Sequence, residues 1–138
     1  MLSFGGVDPN NFTKKVLSSI YTYCQNANIK IEVITGFGYK QQNTLKHFGG
    51  VKIHHDVQNI SDIMVNADVI FTSAGRTTYE IASLAIPAIV LAQNERELTH
   101  FFANKENGFI TLSVVYLLCT YIRSVACYYN RFTFFIFQ

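Results

Sequence analysis

The chain has 138 residues, which is enough for one domain with a buried core and leaves little room for a second. Its 11 basic and 9 acidic residues nearly balance and form no basic cluster, which argues against a nucleic-acid partner. The cysteines lack the CxxC spacing of a zinc site and the N-terminus lacks the regions of a signal peptide, so we expect a cytoplasmic protein with reduced thiols.

Short apolar runs alternate with stretches of helical periodicity along the first 112 residues. The runs predict strands at 1–4, 29–35, 51–54, 69–72 and 87–92, a closing strand from residue 109, and an exit turn at 36–38. The periodicities predict helices from residue 9, at 39–48, at 60–67, from residue 77 and at 95–105. This alternation predicts a Rossmann-like α/β domain at 1–112, in which helices cover both faces of a parallel sheet.

Several helix boundaries carry recognisable signals. Asp8 is a suitable N-cap, with Pro9 at the first helical position. Asn59 or Ser61 is the expected cap of the helix at 60–67. Gly108 is expected to end the helix that precedes the closing strand.

The most informative segment is 73–80, Ser-Ala-Gly-Arg-Thr-Thr-Tyr-Glu, at the start of a predicted helix. Because it follows a buried parallel strand, its free N–H groups and positive dipole end face the ligand-binding edge of the sheet, which favours an anion such as phosphate. Glu80, one turn into the helix, is a suitable acceptor for a sugar diol. A structural alternative fits equally well: Thr77 and Glu80 have capping-box spacing, and Arg76 has the spacing to pair with Glu80.

Three other loops are predicted at the same edge of the sheet. Gly5 and Gly6 allow a close backbone approach to an anion, or form a plain tight turn. The segment 56–59 offers backbone groups to a base, or is a loop and cap. Gln93 and Asn94 follow the fifth strand with hydrogen-bonding side chains, although Asn94 is also spaced to cap a helix with Glu97.

Four segments together carry a resemblance to a known family: 2–11, 59–68, 73–80, and 86–87 with 93–94. Between about residues 2 and 110 the chain resembles the C-terminal half of the nucleotide-sugar hydrolases of pseudaminic acid biosynthesis, and the similar spore-coat polysaccharide biosynthesis proteins. More distantly, it resembles the C-terminal domain of the peptidoglycan UDP-N-acetylglucosamine transferase, which is a GT-B glycosyltransferase.

The resemblance implies a site for UDP or a UDP-sugar, with no cofactor. It assigns diphosphate binding to Gly5, Gly6, Gly75, Arg76, Thr77 and Thr78. It assigns the ribose to Glu80, the base to main-chain groups near Val57 and Asn59, and the sugar to Gln93 and Asn94.

The chain departs from this family at the catalytic histidine, which the resemblance places on a Gly-rich loop of an N-terminal domain. None of the histidines has a Gly-x-Gly-His context: His47, His54, His55 and His100. We therefore expect the UDP-sugar-binding half of a hydrolase or glycosyltransferase of surface-polysaccharide synthesis, inactive alone and without an assigned catalytic residue. The alternative is a non-catalytic subunit that pairs with a separate N-terminal-domain chain.

No metal site is expected. His54 and His55 are followed by Asp56, but adjacent residues of a strand point to opposite faces of the sheet.

The segment 113–138 is an atypical apolar and aromatic tail with no acidic residue. Three interpretations stay open: a closing strand and helix, a membrane span, or a shifted reading frame. Arg123 and several polar residues argue against membrane association.

Overall fold

The computed structural model of the protein describes residues 1–112, and its centre is a six-stranded parallel sheet. Its strands are β1 (Leu2–Ser3), β2 (Glu32–Thr35), β3 (Lys52–His55), β4 (Ile70–Thr72), β5 (Ala88–Leu91) and β6 (Phe109–Leu112). Their order across the sheet is β3-β2-β1-β4-β5-β6, and every neighbouring pair is parallel. The predicted Rossmann-like α/β fold is therefore confirmed.

Four α-helices and two 3₁₀ turns connect the strands of the described part. The helices are α1 (Phe12–Asn26), α2 (Ser61–Met64), α3 (Thr77–Ser83) and α4 (Glu95–Leu98). The 3₁₀ turns are at Gln42–Leu45 and Lys105–Asn107. No helix within residues 1–112 is long and apolar enough to cross a membrane.

Each face of the sheet has its own apolar core. On one face, α1 buries side chains against β1, β2, β4 and β5, among them Phe12, Val16, Leu17, Leu2, Val33, Phe71 and Ile89. On the other face, α2 and α3 contribute Met64 and Ile81, which pack with Ile70, Ala88 and Val90 of the strands. Because successive strand residues point to opposite faces, both faces of the central strands are buried, and this explains their continuous apolar sequence.

The predicted helix at 39–48 is wrong in extent, because only a 3₁₀ turn at Gln42–Leu45 forms there. Leu45 is the one buried residue of that turn, so the segment has no apolar stripe to hold a longer helix on the sheet. The Thr44 hydroxyl also donates to the Gln41 carbonyl at 2.7 Å, a local bond that competes with helical hydrogen bonding.

The predicted helix at 95–105 is also much shorter. The chain leaves α4 after Leu98, and the Thr99 hydroxyl donates to the carbonyl of Arg96 at 2.8 Å. A separate 3₁₀ turn then starts at Asn104, whose side chain accepts the N–H of Asn107 at 3.0 Å. Short polar side chains at both places offer the backbone an alternative to a continuous helix.

The other predicted helix ends have mixed outcomes. The expected cap of α2 is wrong, because Ile60 occupies the N-cap position and no side chain caps the helix. Gly108 does end the 3₁₀ turn before β6, with a left-handed φ of 82° that glycine adopts without a steric penalty. The interpretations of 113–138 lie outside the described residues.

Candidate functional site

A cleft of about 200 Å³ opens at the carboxyl edge of the sheet, beside the end of β1. From β1 the strand order runs to β2 and β3 on one side and to β4, β5 and β6 on the other. Ligands of open parallel sheets bind at this kind of reversal, because the loops on its two sides diverge and leave a crevice. Loops that follow four strands line the cleft, with Gly5, Gly6, Gly36, Asp56, Val57 and Thr77 among the lining residues.

Gly5 and Gly6 form an unobstructed wall of the cleft. No atom lies within 4 Å of the position that a Cβ would occupy on either residue. Gly5 has a left-handed φ of 79°, which disfavours other residues there. The backbone of this loop is therefore open to close approach by a ligand.

The loop after β2 supports Gly6 from behind, a contact that the sequence analysis missed. A Cβ on Gly36 would lie 2.4 Å from the Cα of Gly6, so the two backbones touch directly. The N–H of Gly38 donates to the Gly6 carbonyl at 2.9 Å. The glycines at 36 and 38 were a visible signal, but their interpretation as an exit turn did not say what they pack against.

The N-terminus of α1 does not offer an empty anion site, because Asp8 already occupies it. The carboxylate of Asp8 is buried and accepts the N–H groups of Phe12 and Thr13, both at 2.8 Å. Asp8 thus caps the helix as predicted, whereas Pro9 is not the first helical residue, because α1 begins at Phe12. The carboxylate takes up the free N–H groups and the dipole that would otherwise favour a phosphate at this end.

The turn before α3 keeps several of its backbone donors free. The N–H groups of Gly75, Arg76 and Thr77 donate no hydrogen bond to any residue in 1–112. The side chain of Thr77 lines the cleft, whereas Thr78 is buried and its hydroxyl donates to the Gly75 carbonyl at 2.7 Å. Gly75, Arg76 and Thr78 therefore shape or extend the turn but do not line the cleft themselves.

Glu80 is exposed on α3, outside the lining of the cleft. The capping box considered for Thr77 and Glu80 does not form, since Arg76 occupies the N-cap position and no side chain caps α3. Within residues 1–112, Glu80 also makes no ion pair with Arg76. Neither structural alternative for Glu80 occurs, and its carboxylate has no partner in the described part of the chain.

The residues assigned to the base and the sugar are only partly brought together. Val57 lines the cleft, but Asn59 is exposed and does not. The side-chain nitrogen of Gln93 donates to the Phe4 carbonyl at 3.0 Å, away from the lining residues. Asn94 accepts the N–H of Glu97 at 3.0 Å, so the capping alternative for Asn94 is confirmed.

The sequence analysis also missed Ser3. This residue is 3% exposed and lines the cleft at the end of β1, and its hydroxyl has no hydrogen-bond partner within residues 1–112. A buried hydroxyl without a partner is costly unless a ligand or water satisfies it. A single serine inside an apolar strand gave no sequence signal for this position.

Comparison with known proteins gives one relative for this fold and site. No family model matches the chain, and no solved structure matches it. The chain is similar to an uncharacterized protein of Methanocaldococcus jannaschii, with 36% identity over 100 residues that cover 69% of this chain and 21% of that protein. The chain therefore matches only about a fifth of the length of this relative.

Proposed function

We propose that this chain is the UDP-sugar-binding half of a nucleotide-sugar hydrolase or GT-B glycosyltransferase of surface-polysaccharide synthesis. The observation that carries the proposal is the cleft at the strand-order reversal, where Gly5, Gly6, Val57 and Thr77 meet. These four residues come from three separate loops, and the family resemblance assigns each of them to the nucleotide.

The chemistry of the cleft suits a diphosphate next to the glycine loop. The open backbone at Gly5 and Gly6 admits phosphate oxygens closely, and the hydroxyls of Ser3 and Thr77 lie in the same lining. The exposed guanidinium of Arg76, at the start of α3, supplies a positive charge beside it. Since Asp8 occupies the N-terminus of α1, we place the diphosphate between the glycine loop and α3.

The size of the cleft supports a half-site. Pockets for small molecules commonly measure about 300–1,000 Å³, whereas this cleft measures about 200 Å³. A second surface would have to cover the rest of a nucleotide-sugar. None of the four histidines lines the cleft, so we propose that a histidine-bearing domain supplies catalysis, either in a longer protein or on a partner chain.

Isothermal titration with UDP, UDP-N-acetylglucosamine and GDP tests the proposal. We expect both uridine nucleotides to bind and GDP to bind more weakly, because the Val57 segment would have to move to admit a purine. Equal affinities for UDP and GDP would contradict the uracil assignment, and the absence of binding by all three would overturn the nucleotide site.

Gly6→Ala tests the open wall of the cleft directly. The added methyl group meets no protein atom, so the free energy of unfolding should hold or rise by about 0.4–1 kcal/mol. UDP affinity should fall about tenfold, or about 1.4 kcal/mol, because the methyl group occupies the diphosphate approach. Gly49→Ala is the matched control, since its methyl group meets only the Tyr21 hydroxyl at 3.6 Å, outside the cleft lining. Equal UDP affinity of the two variants would contradict the proposed approach.

Glu80→Gln separates a ribose contact from a structural role. Because Glu80 neither caps α3 nor pairs with Arg76, the melting temperature should hold. If the carboxylate accepts the ribose hydroxyls, UDP affinity should fall by about 1 kcal/mol. A thermal melt and a titration on the same variant make the comparison, and a lower melting temperature with unchanged affinity would remove Glu80 from the site.

A further inference from the structure

One carboxylate oxygen joins the loops that follow β4 and β5. Oε2 of Glu97 accepts the N–H of Gln93 at 2.8 Å and the N–H of Ala74 at 3.2 Å. Ala74 is buried and stands immediately before Gly75, in the turn that leads into α3. The side chain of Glu97 therefore fixes the start of that turn to the β5 loop.

The β5 loop is tied in turn to the glycine loop. The side-chain amide of Gln93 donates to the Phe4 carbonyl at 3.0 Å, directly before Gly5. The side chain of Asn10, from the connection between β1 and α1, donates to the Gln93 carbonyl at 2.5 Å. Gln93 thus links the two sides of the cleft, with Glu97 holding its backbone N–H.

An ordinary capping role does not account for Glu97. In a capping box, a glutamate three residues into the helix folds back to the N–H of the N-cap residue, which here is Asn94. Glu97 instead reaches one residue further back, to Gln93, and across to a separate loop. Its second contact adds nothing to α4 and bears on the turn at the cleft.

We infer that Glu97 is a positioning residue of the nucleotide site: acting through Gln93 and Ala74, it sets the distance between the glycine loop and the turn before α3. This inference rests on the proposed function. A diphosphate that spans both loops depends on this distance, whereas a nucleoside without phosphate does not. Loss of Glu97 should therefore weaken UDP more than uridine.

Two variants separate the reach of the side chain from its charge. Glu97→Gln keeps an oxygen at the same distance and loses the charge, whereas Glu97→Asp keeps the charge and falls one methylene short. Glu95→Asp is the matched control, because Glu95 is exposed in the same first turn of α4 and has no partner within residues 1–112. UDP and uridine affinities by titration and amide hydrogen exchange at Ala74 and Gln93 are measured for each.

We expect Glu97→Asp to weaken UDP about tenfold and uridine less than about twofold, with faster exchange at Ala74 and Gln93. Glu97→Gln should recover most of the UDP affinity, and Glu95→Asp should match the wild type. Equal weakening of UDP and uridine, or a Gln variant as weak as the Asp variant, would overturn the positioning role. If the unmodified chain fails to bind UDP, the proposed function fails separately, and unchanged amide exchange in Glu97→Asp would then reject the link itself.

Discussion

Gly36→Ala is expected to lower the free energy of unfolding by about 3 kcal/mol, at the upper end of the cost of overpacking. The added Cβ would lie 2.4 Å from the Cα of Gly6 and 2.7 Å from its carbonyl oxygen. Both are backbone atoms, so no flexible side chain can rotate away to relieve the overlap. One of the two loops must move, and the glycine wall of the cleft moves with it.

Urea unfolding of Gly36→Ala beside Gly49→Ala measures this cost, since the second variant adds the same methyl group without an overlap. UDP affinity of the folded Gly36→Ala protein should also fall, in contrast to Gly6→Ala, where affinity falls and stability holds. Equal stability of Gly36→Ala and Gly49→Ala would show that the two loops do not touch as described.

Asp8→Ala is expected to lower the free energy of unfolding by about 2 kcal/mol, the upper end for loss of a helix cap. The substitution leaves the N–H groups of Phe12 and Thr13 without their acceptor at a buried helix start. It also places alanine at a left-handed φ of 47°, a conformation that asparagine and aspartate tolerate better.

Asp8→Asn is the matched control for the second cap experiment, because asparagine tolerates the same φ and keeps one acceptor oxygen. We expect it to lose about 1 kcal/mol, roughly half the effect of alanine. Urea unfolding gives both values. If alanine and asparagine cost the same, the second hydrogen bond of the carboxylate contributes nothing.

The sequence alone was sufficient for the fold class. The run at 88–92 is apolar at every position, which is typical of a strand buried on both faces, and β5 is buried throughout. The helix that became α1 has apolar residues at three- and four-residue spacing, and its Val16, Leu17 and Ile20 are buried. Both patterns are local and periodic, so they can be recognised without knowing which elements become neighbours.

The carboxyl-edge loops were predicted as one ligand region for a related reason. In a parallel sheet all strands end at the same edge, so predicting the strands also places their exit loops. The structure brings Gly5, Gly6, Val57 and Thr77 to one cleft in this way. It does not bring Asn59, Glu80, Gln93 or Asn94 into the lining, because strand order and loop direction decide which side chains face it.

Only the tertiary structure decided the contacts between loops that are distant along the chain. The backbone contact of Gly36 with Gly6 and the bond from Ala74 to Glu97 join segments that no local pattern connects. The shortening of the helices predicted at 39–48 and 95–105 has the same origin, since a polar segment stays helical only where an apolar face packs on the sheet. Periodicity thus determined the elements, whereas packing determined their length and the geometry of the cleft.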